Sequence, residues 1–345
     1  MEDRLSDALH ERLTQQFVDR PSAVIARYDP SELVTVVTEG GEVLVQGLRA
    51  GVLEGFRFVP DRAVREGSKG LLAAANRALR AGIRERVATL AADGDAAFAL
   101  RAPDDVVWRG APVARLVAGE SVLAPQIEVL PSELLDPPLR EPLRRRLASW
   151  LEAHLRAWLG PLFAARAAPL SGPARGLVFV LGESLGTVPR RQVAAQLAAL
   201  APDDRRELAR LGVTLGRVNV FLPALLQPES LRLRARLFAI RHGVPALAAP
   251  DGIPSVPVDH ALSSASYAAC GYQAAGPRAV RVDRLDRVAA AAARLSRDGP
   301  FAVPREFATL LGCAPAEVSG VLAAIGYAER EGRFAWRRAA DRRRA

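Results

Sequence analysis

One lysine, Lys69, stands among 47 basic residues, and no G-x-x-x-x-G-K-[ST] phosphate loop occurs. Without that loop's amides and lysine nothing cradles the β- and γ-phosphates of a nucleotide, so a self-contained nucleotide motor is excluded. Cysteine is almost as scarce. Cys270 and Cys313 are too few for a disulfide framework or a cysteine-based zinc site, and they suit a reduced, cytoplasmic protein. The four histidines, His10, His154, His242 and His260, form no i, i+4 pair and no H-E-x-x-H. No metal site and no cofactor are therefore expected. No run of about 18 uncharged apolar residues exists, so no membrane-spanning helix and no membrane partner are expected. The acidic start MEDRLSDALHER has no apolar core of a secretory leader.

What is present is a long, well-mixed chain. Its 345 residues are 50% hydrophobic and 25% charged, which suits a folded protein of two or three domains. The formal net charge is +9 and unevenly spread. Residues 1–129 hold 16 basic and 19 acidic residues, net −3. Residues 171–245 hold 11 and 5, and residues 278–345 hold 14 and 8, net +6 in each. High arginine and alanine content fits a GC-rich coding sequence, but that does not produce a regional imbalance. A polyanionic partner, RNA or DNA, is the physical reading of the asymmetry.

Hydrophobic spacing divides the chain. Residues 1–29 read as an N-terminal helix, with Leu5, Leu9, Leu13 and Phe17 four apart over residues 3–20. Residues 30–135 read as a small α+β domain. Alternation around Gly40, Gly47 and Gly51 predicts an antiparallel sheet over 33–59, and Leu71, Leu72, Ala75, Leu79, Ile83 and Val87 on one side predict a helix over 68–92. Short strands are expected over 96–130. Residues 136–243 read as a helical domain, opening on a long helix near 139–167 with His154 on its apolar face. Further helices are expected at 172–185, 189–200, 203–211 and 228–243, with a short strand over 213–223. Pro245, Pro250, Pro254 and Pro257 mark 244–260 as a linker. Residues 261–345 read as a winged-helix-like unit with a basic tail. The fold class is thus α+β and mostly helical.

The most specific local pattern is PREFATLLGCAPAEVSGVLAAIGYAEREGRFAWRR. Phe307, Ala308, Gly312, Cys313, Val318 and Val321 fall where a helix-turn-helix needs apolar, small and turn residues. YAEREGRFAWRR then reads as a hairpin turning at Glu331-Gly332, a wing. The second helix offers Ala316, Glu317, Ser319 and Ala323, none a base reader of the Arg, Asn or Gln type. Contact is instead expected from Arg330, Arg333, Arg337 and Arg338, with Trp336 or Phe334 for stacking, and from Arg232, Arg234 and Arg236. A competing pattern is G-x-S-x-G at Gly182, Ser184 and Gly186, followed by Asp251 or Asp259 and His260 in hydrolase order. Leu177, Leu181 and Leu185 at helical spacing place Ser184 inside a packed helix instead.

Longer phrases carry a resemblance. LHERLTQQFVDRPSAV, LEGFRFVPD, LSGPARGLVF, LGVTLGRVNVFLPALLQPESLRLRARLFAI, GYQAAGPRAVRVDRLDRVA and LLGCAPAEVSGVLAAIGY occur in order through nearly the whole chain. Together they resemble the C-terminal region of bacterial superfamily-two DExH helicases, the alphaproteobacterial relatives of the mitochondrial degradosome helicase. Members of that family carry two RecA-like motor lobes upstream of this region. Here there is no phosphate loop, DExH box or QxxGRxGR motif. The resemblance therefore implies a helicase-associated accessory region, non-enzymatic on its own, that holds RNA or DNA backbone without reading sequence while a motor in trans or a lost N-terminal half supplies ATP hydrolysis. The alternatives are a protein-interaction scaffold docking on such a motor and, as a minor reading, a serine hydrolase acting through Ser184.

Overall fold

The computed structural model describes residues 34–38, 40–67, 69–101, 103–247 and 252–336. The expected helix over 3–20, Arg337, Arg338 and the tail lie outside the described residues. The chain is mixed α and β, and every registered strand pair is antiparallel. It divides into two compact units, with one division inside a long helix between Leu151 and Glu152.

The first unit begins with a four-stranded sheet of β1 (Thr35–Val37), β2 (Glu42–Val45), β3 (Leu48–Glu54) and β4 (Arg57–Pro60) in sequential order. After a short α1 (Arg62–Gly67), α2 (Lys69–Ala92) packs Leu71, Ala75, Leu79, Ile83 and Val87 inward at the expected spacing of four. A second sheet follows, β5 (Phe98–Arg101), β6 (Asp105–Trp108), β7 (Ala111–Ser121) and β8 (Ala124–Val129), again in sequential order. Trp108 stacks on Phe56 at 5.9 Å between ring centroids and donates its indole N–H to Asp93 at 2.6 Å. Arg109 grips the same carboxylate at 2.7 and 2.8 Å and holds its pKa below the usual range, with help from the Trp108 hydrogen bond. The long helix α3 (Pro137–Ala167) breaks its regular geometry at Leu159, next to Gly160-Pro161. Pro161 has no N–H for the carbonyl four residues back, which accounts for the kink.

The second unit alternates short helices with small sheets. α4 (Gly172–Glu183) leads through a tight turn into β9 (Thr187–Pro189), and α5 (Ala194–Ala199) and α6 (Pro202–Arg210) follow. The helix expected over 189–200 is thus shorter. Its first residues belong to β9 and a single 3-10 turn, because Pro189 pairs with Asn219 in a sheet ordered β10 (Thr214–Leu215), β11 (Asn219–Phe221), β9. α7 (Pro228–His242) ends on Gly243 in the left-handed conformation, as a C-terminal glycine allows. The segment read as a linker contributes β12 (Ser255–Pro257), the edge of a sheet ordered β12, β14 (Arg278–Arg281), β13 (Tyr272–Ala275), with α8 (Ser264–Ala269) before it. Pro257 is tolerated because an edge strand leaves some N–H positions unused.

The chain then forms α9 (Val282–Leu295), α10 (Arg305–Leu311), α11 (Pro315–Ala324) and the hairpin β15 (Tyr327–Arg330) and β16 (Arg333–Trp336). Leu285, Val288, Phe307, Leu311, Val318, Val321, Tyr327 and Phe334 make one buried cluster. Among the described residues no single helix is long and apolar enough to cross a membrane.

Candidate nucleic-acid interface

Glu331 and Gly332 both have positive φ, 52° and 73°, so β15 and β16 are joined by the tight two-residue turn that suits the twist of a hairpin. The register sets Arg330 directly opposite Arg333 and Glu329 opposite Phe334. Side chains alternate along a strand, so Arg330 and Arg333 share one face with Ala328 and Ala335. That face is shallow and cationic. Both arginines are exposed, and neither has an ion pair or hydrogen bond among the described residues. Like charges directly opposed across a strand pair repel, and an anion bridging them removes the repulsion.

The other face of the hairpin belongs to the core. Phe334 is 2% exposed, so it is not available to stack on a base. Its backbone pairs with Phe301 in both directions, at 3.0 and 2.8 Å. Trp336 is 48% exposed and meets Tyr327 edge-on at 5.2 Å.

The arginines of α7 divide three ways. Arg232 is exposed and ion-paired with Glu229, one turn back. Arg236 is half-buried beside His154, whose pKa it helps to lower after burial has done so. Arg234 corrects the expectation of a nucleic-acid contact: it is fully buried. Its guanidinium donates to Leu225 O at 3.1 Å, Thr187 Oγ1 at 2.7 Å and Ala268 O at 2.8 Å, and burial brings its pKa down to about 10. It is a strut for three carbonyl and hydroxyl groups of the second unit.

A residue that pattern reading passed over stands near the hairpin. Arg217 is exposed on the loop between β10 and β11. Asp286 of α9 fixes that loop, accepting from Val218 N at 2.9 Å, Asn219 N at 3.1 Å and Asn219 Nδ2 at 3.1 Å. Burial raises the Asp286 pKa against the pull of these hydrogen bonds. A Cβ at Gly216 would come within 2.3 Å of Asp286 Oδ1, so only glycine admits the carboxylate. Val218, the next residue, packs on the buried cluster that holds Tyr327 and Phe334, which brings this loop to the core side of the hairpin. The signal in the sequence is the G-R-V-N step, which becomes legible only once Asp286 is known to reach it.

α11 is not open to a groove. A Cβ at Gly320 would meet Pro277 Cδ at 2.7 Å, and one at Gly276 would meet Gly320 O at 2.6 Å. The turn between β13 and β14 thus lies directly on the helix. Of the four side chains expected on its surface, Ala316 is exposed while Glu317, Ser319 and Ala323 are half-buried. Glu317 is taken up by Ala314 N at 2.9 Å and Arg278 at 3.6 Å.

The hydrolase pattern has the wrong local geometry. Ser184 is the C-terminal cap of α4 and not an interior helix residue, since Leu185 and Gly186 adopt φ of 53° and 90°. The order is helix, turn, strand, whereas a nucleophile elbow runs strand, turn, helix. Asp259 Oδ1 accepts from Ala261 N at 2.9 Å, His260 is exposed, and Asp251 lies outside the described residues. Among the described residues no group of histidine, cysteine and carboxylate side chains could hold a metal ion. Comparison with family models, curated proteins and solved structures finds no match.

Proposed function

We propose that the C-terminal part of the second unit is a winged helix that holds the phosphate backbone of single-stranded RNA or DNA without reading its sequence. The order α9, Phe301 bridge, α10, α11, β15, β16 supports the shape, with Phe301 adding a third strand beside β16. α10 and α11 bend by 80° across their break, near the helix-turn-helix range. The observation that carries the binding reading is the opposed, exposed pair Arg330 and Arg333 at the wing tip. Arg217, on the neighbouring loop, adds a further exposed cation. The covered α11 argues against insertion into a duplex groove, so phosphate contacts on the arginine face remain. Taken with the sequence resemblance, the chain acts as the nucleic-acid-holding accessory part of a helicase.

The rival reading is a scaffold on which a motor docks, and it draws on the same covered helix, since a winged helix can serve for packing alone. Fluorescence anisotropy with a labelled single-stranded oligonucleotide separates the two. The double variant Arg330→Gln/Arg333→Gln should bind at least several-fold more weakly, and equally so for unrelated sequences. Unchanged affinity favours the scaffold.

A further inference from the structure

The first unit holds a groove of about 330 Å³ between β1 and α2. Val37 and Leu53 from the sheet and Leu79 and Ile83 from the helix make its aliphatic part, and Glu85, Arg86, Thr89 and Arg109 make a polar part of similar extent. Three features of this groove stand out. Arg86, at one end, is half-buried and lies over the Trp108 ring at 5.0 Å. Only its Nε has an acceptor among the described residues, Gly55 O at 2.7 Å. It has no carboxylate partner, and burial and the neighbouring Arg109 both lower its pKa. The Thr35 hydroxyl, on the opposite wall, is buried with no hydrogen-bond partner among the described residues. Gly82 sits in the middle of the 24-residue α2, where glycine weakens a helix, and a Cβ there would meet nothing within 4 Å.

We propose that this groove is a binding site for a small carboxylate with an aliphatic body. The carboxylate would accept from the terminal nitrogens of Arg86, relieving a desolvated cation whose neighbour is another cation. The body would lie along Leu79, Ile83 and Leu53, and a polar atom near the head would meet Thr35. The volume has room for about ten water-sized groups, and it falls at the lower end of the range for small-molecule sites. The aliphatic part favours such a body over a nucleobase: Trp108 is 2% exposed and offers no stacking face. Gly82 keeps the space that the body fills. This inference is independent of the nucleic-acid reading, whose residues belong to the second unit.

Isothermal titration calorimetry with sodium octanoate and with octan-1-ol, on the full chain, tests it. Octanoate should bind saturably at one site, and octan-1-ol, with the same tail and no charge, at least tenfold more weakly. Arg86→Gln should lose at least tenfold in octanoate affinity. Gly82→Leu, a better helix former that fills the groove, should abolish binding while thermal melting shows the fold retained. Absence of saturable octanoate binding, or binding by Gly82→Leu equal to that of the unaltered chain, overturns the proposal.

Discussion

On α7, residues two apart lie about 200° apart around the axis, so Arg232 and Arg234 cannot share a solvent face. The helix buries Leu233, Leu237 and Arg234, and Arg234 meets neutral acceptors where a carboxylate would be usual. Charge counting takes such an arginine for a phosphate contact because burial is invisible in composition. Arg234→Met should strand Leu225 O, Ala268 O and Thr187, at about 1–3 kcal/mol for each group left unpaired. Urea denaturation should show a loss of several kcal/mol, with binding to single strands unchanged while the protein remains folded. A change in stability below about 1 kcal/mol would contradict the strut role. His154 makes a second residue-scale forecast. Burial and Arg236 lower its pKa, and Glu229 only partly opposes them. The unfolded chain therefore takes up a proton below about pH 6.5 that the folded chain resists. Stability should fall as pH drops from about 6.5 through the folded pKa, and His154→Gln should flatten that fall. Denaturation midpoints at pH 7.5 and 5.5 measure it, and equal slopes in both proteins would contradict the assignment.

Among the elements, those built from local signals were legible in the sequence. α2 follows its four-residue repeat, the β15–β16 turn follows Glu331-Gly332, and Gly312, at φ 59°, caps α10 where a turn residue was expected. Elements defined by distant partners were not legible. β12 hides in a proline-rich stretch because its partner is β14, more than twenty residues on. β9 takes the first residue of the helix expected over 189–200 because β11 pairs with it. The candidate site divides the same way: the hairpin pair could be read from spacing, whereas Arg217 depends on Asp286, 69 residues away, and the burial of Phe334 depends on Phe301. The covering of α11 was equally hidden, since it rests on Gly320 meeting Pro277. That contact leaves no room for a methyl group. Gly320→Ala should cost about 1–3 kcal/mol through overpacking, read as a lower melting temperature. An unchanged melting temperature would show that the β13–β14 turn does not bear on the helix.

At the scale of the whole molecule, the net charge of +9 overstates what a polyanion can meet. Arg278 is engaged by Ser255 and Glu317, Arg281 by Asp283, and Arg146 in the first unit by the Asp93 carbonyl and Asp95. Other arginines of the second unit, among them Arg191, Arg241, Arg294 and Arg305, are exposed singly, whereas Arg330 and Arg333 stand directly opposed on a hairpin. The field of the net charge steers any anion, while the opposed pair has a geometry of its own. The most direct test is the salt dependence of single-strand binding, measured by anisotropy at several salt concentrations for the unaltered chain and for Arg330→Gln/Arg333→Gln. Each phosphate neutralised on a single strand contributes about −0.7 to the slope of log affinity against log salt, so two lost contacts should flatten it by roughly 1.4. An unchanged slope would remove the hairpin from the binding surface and contradict the account.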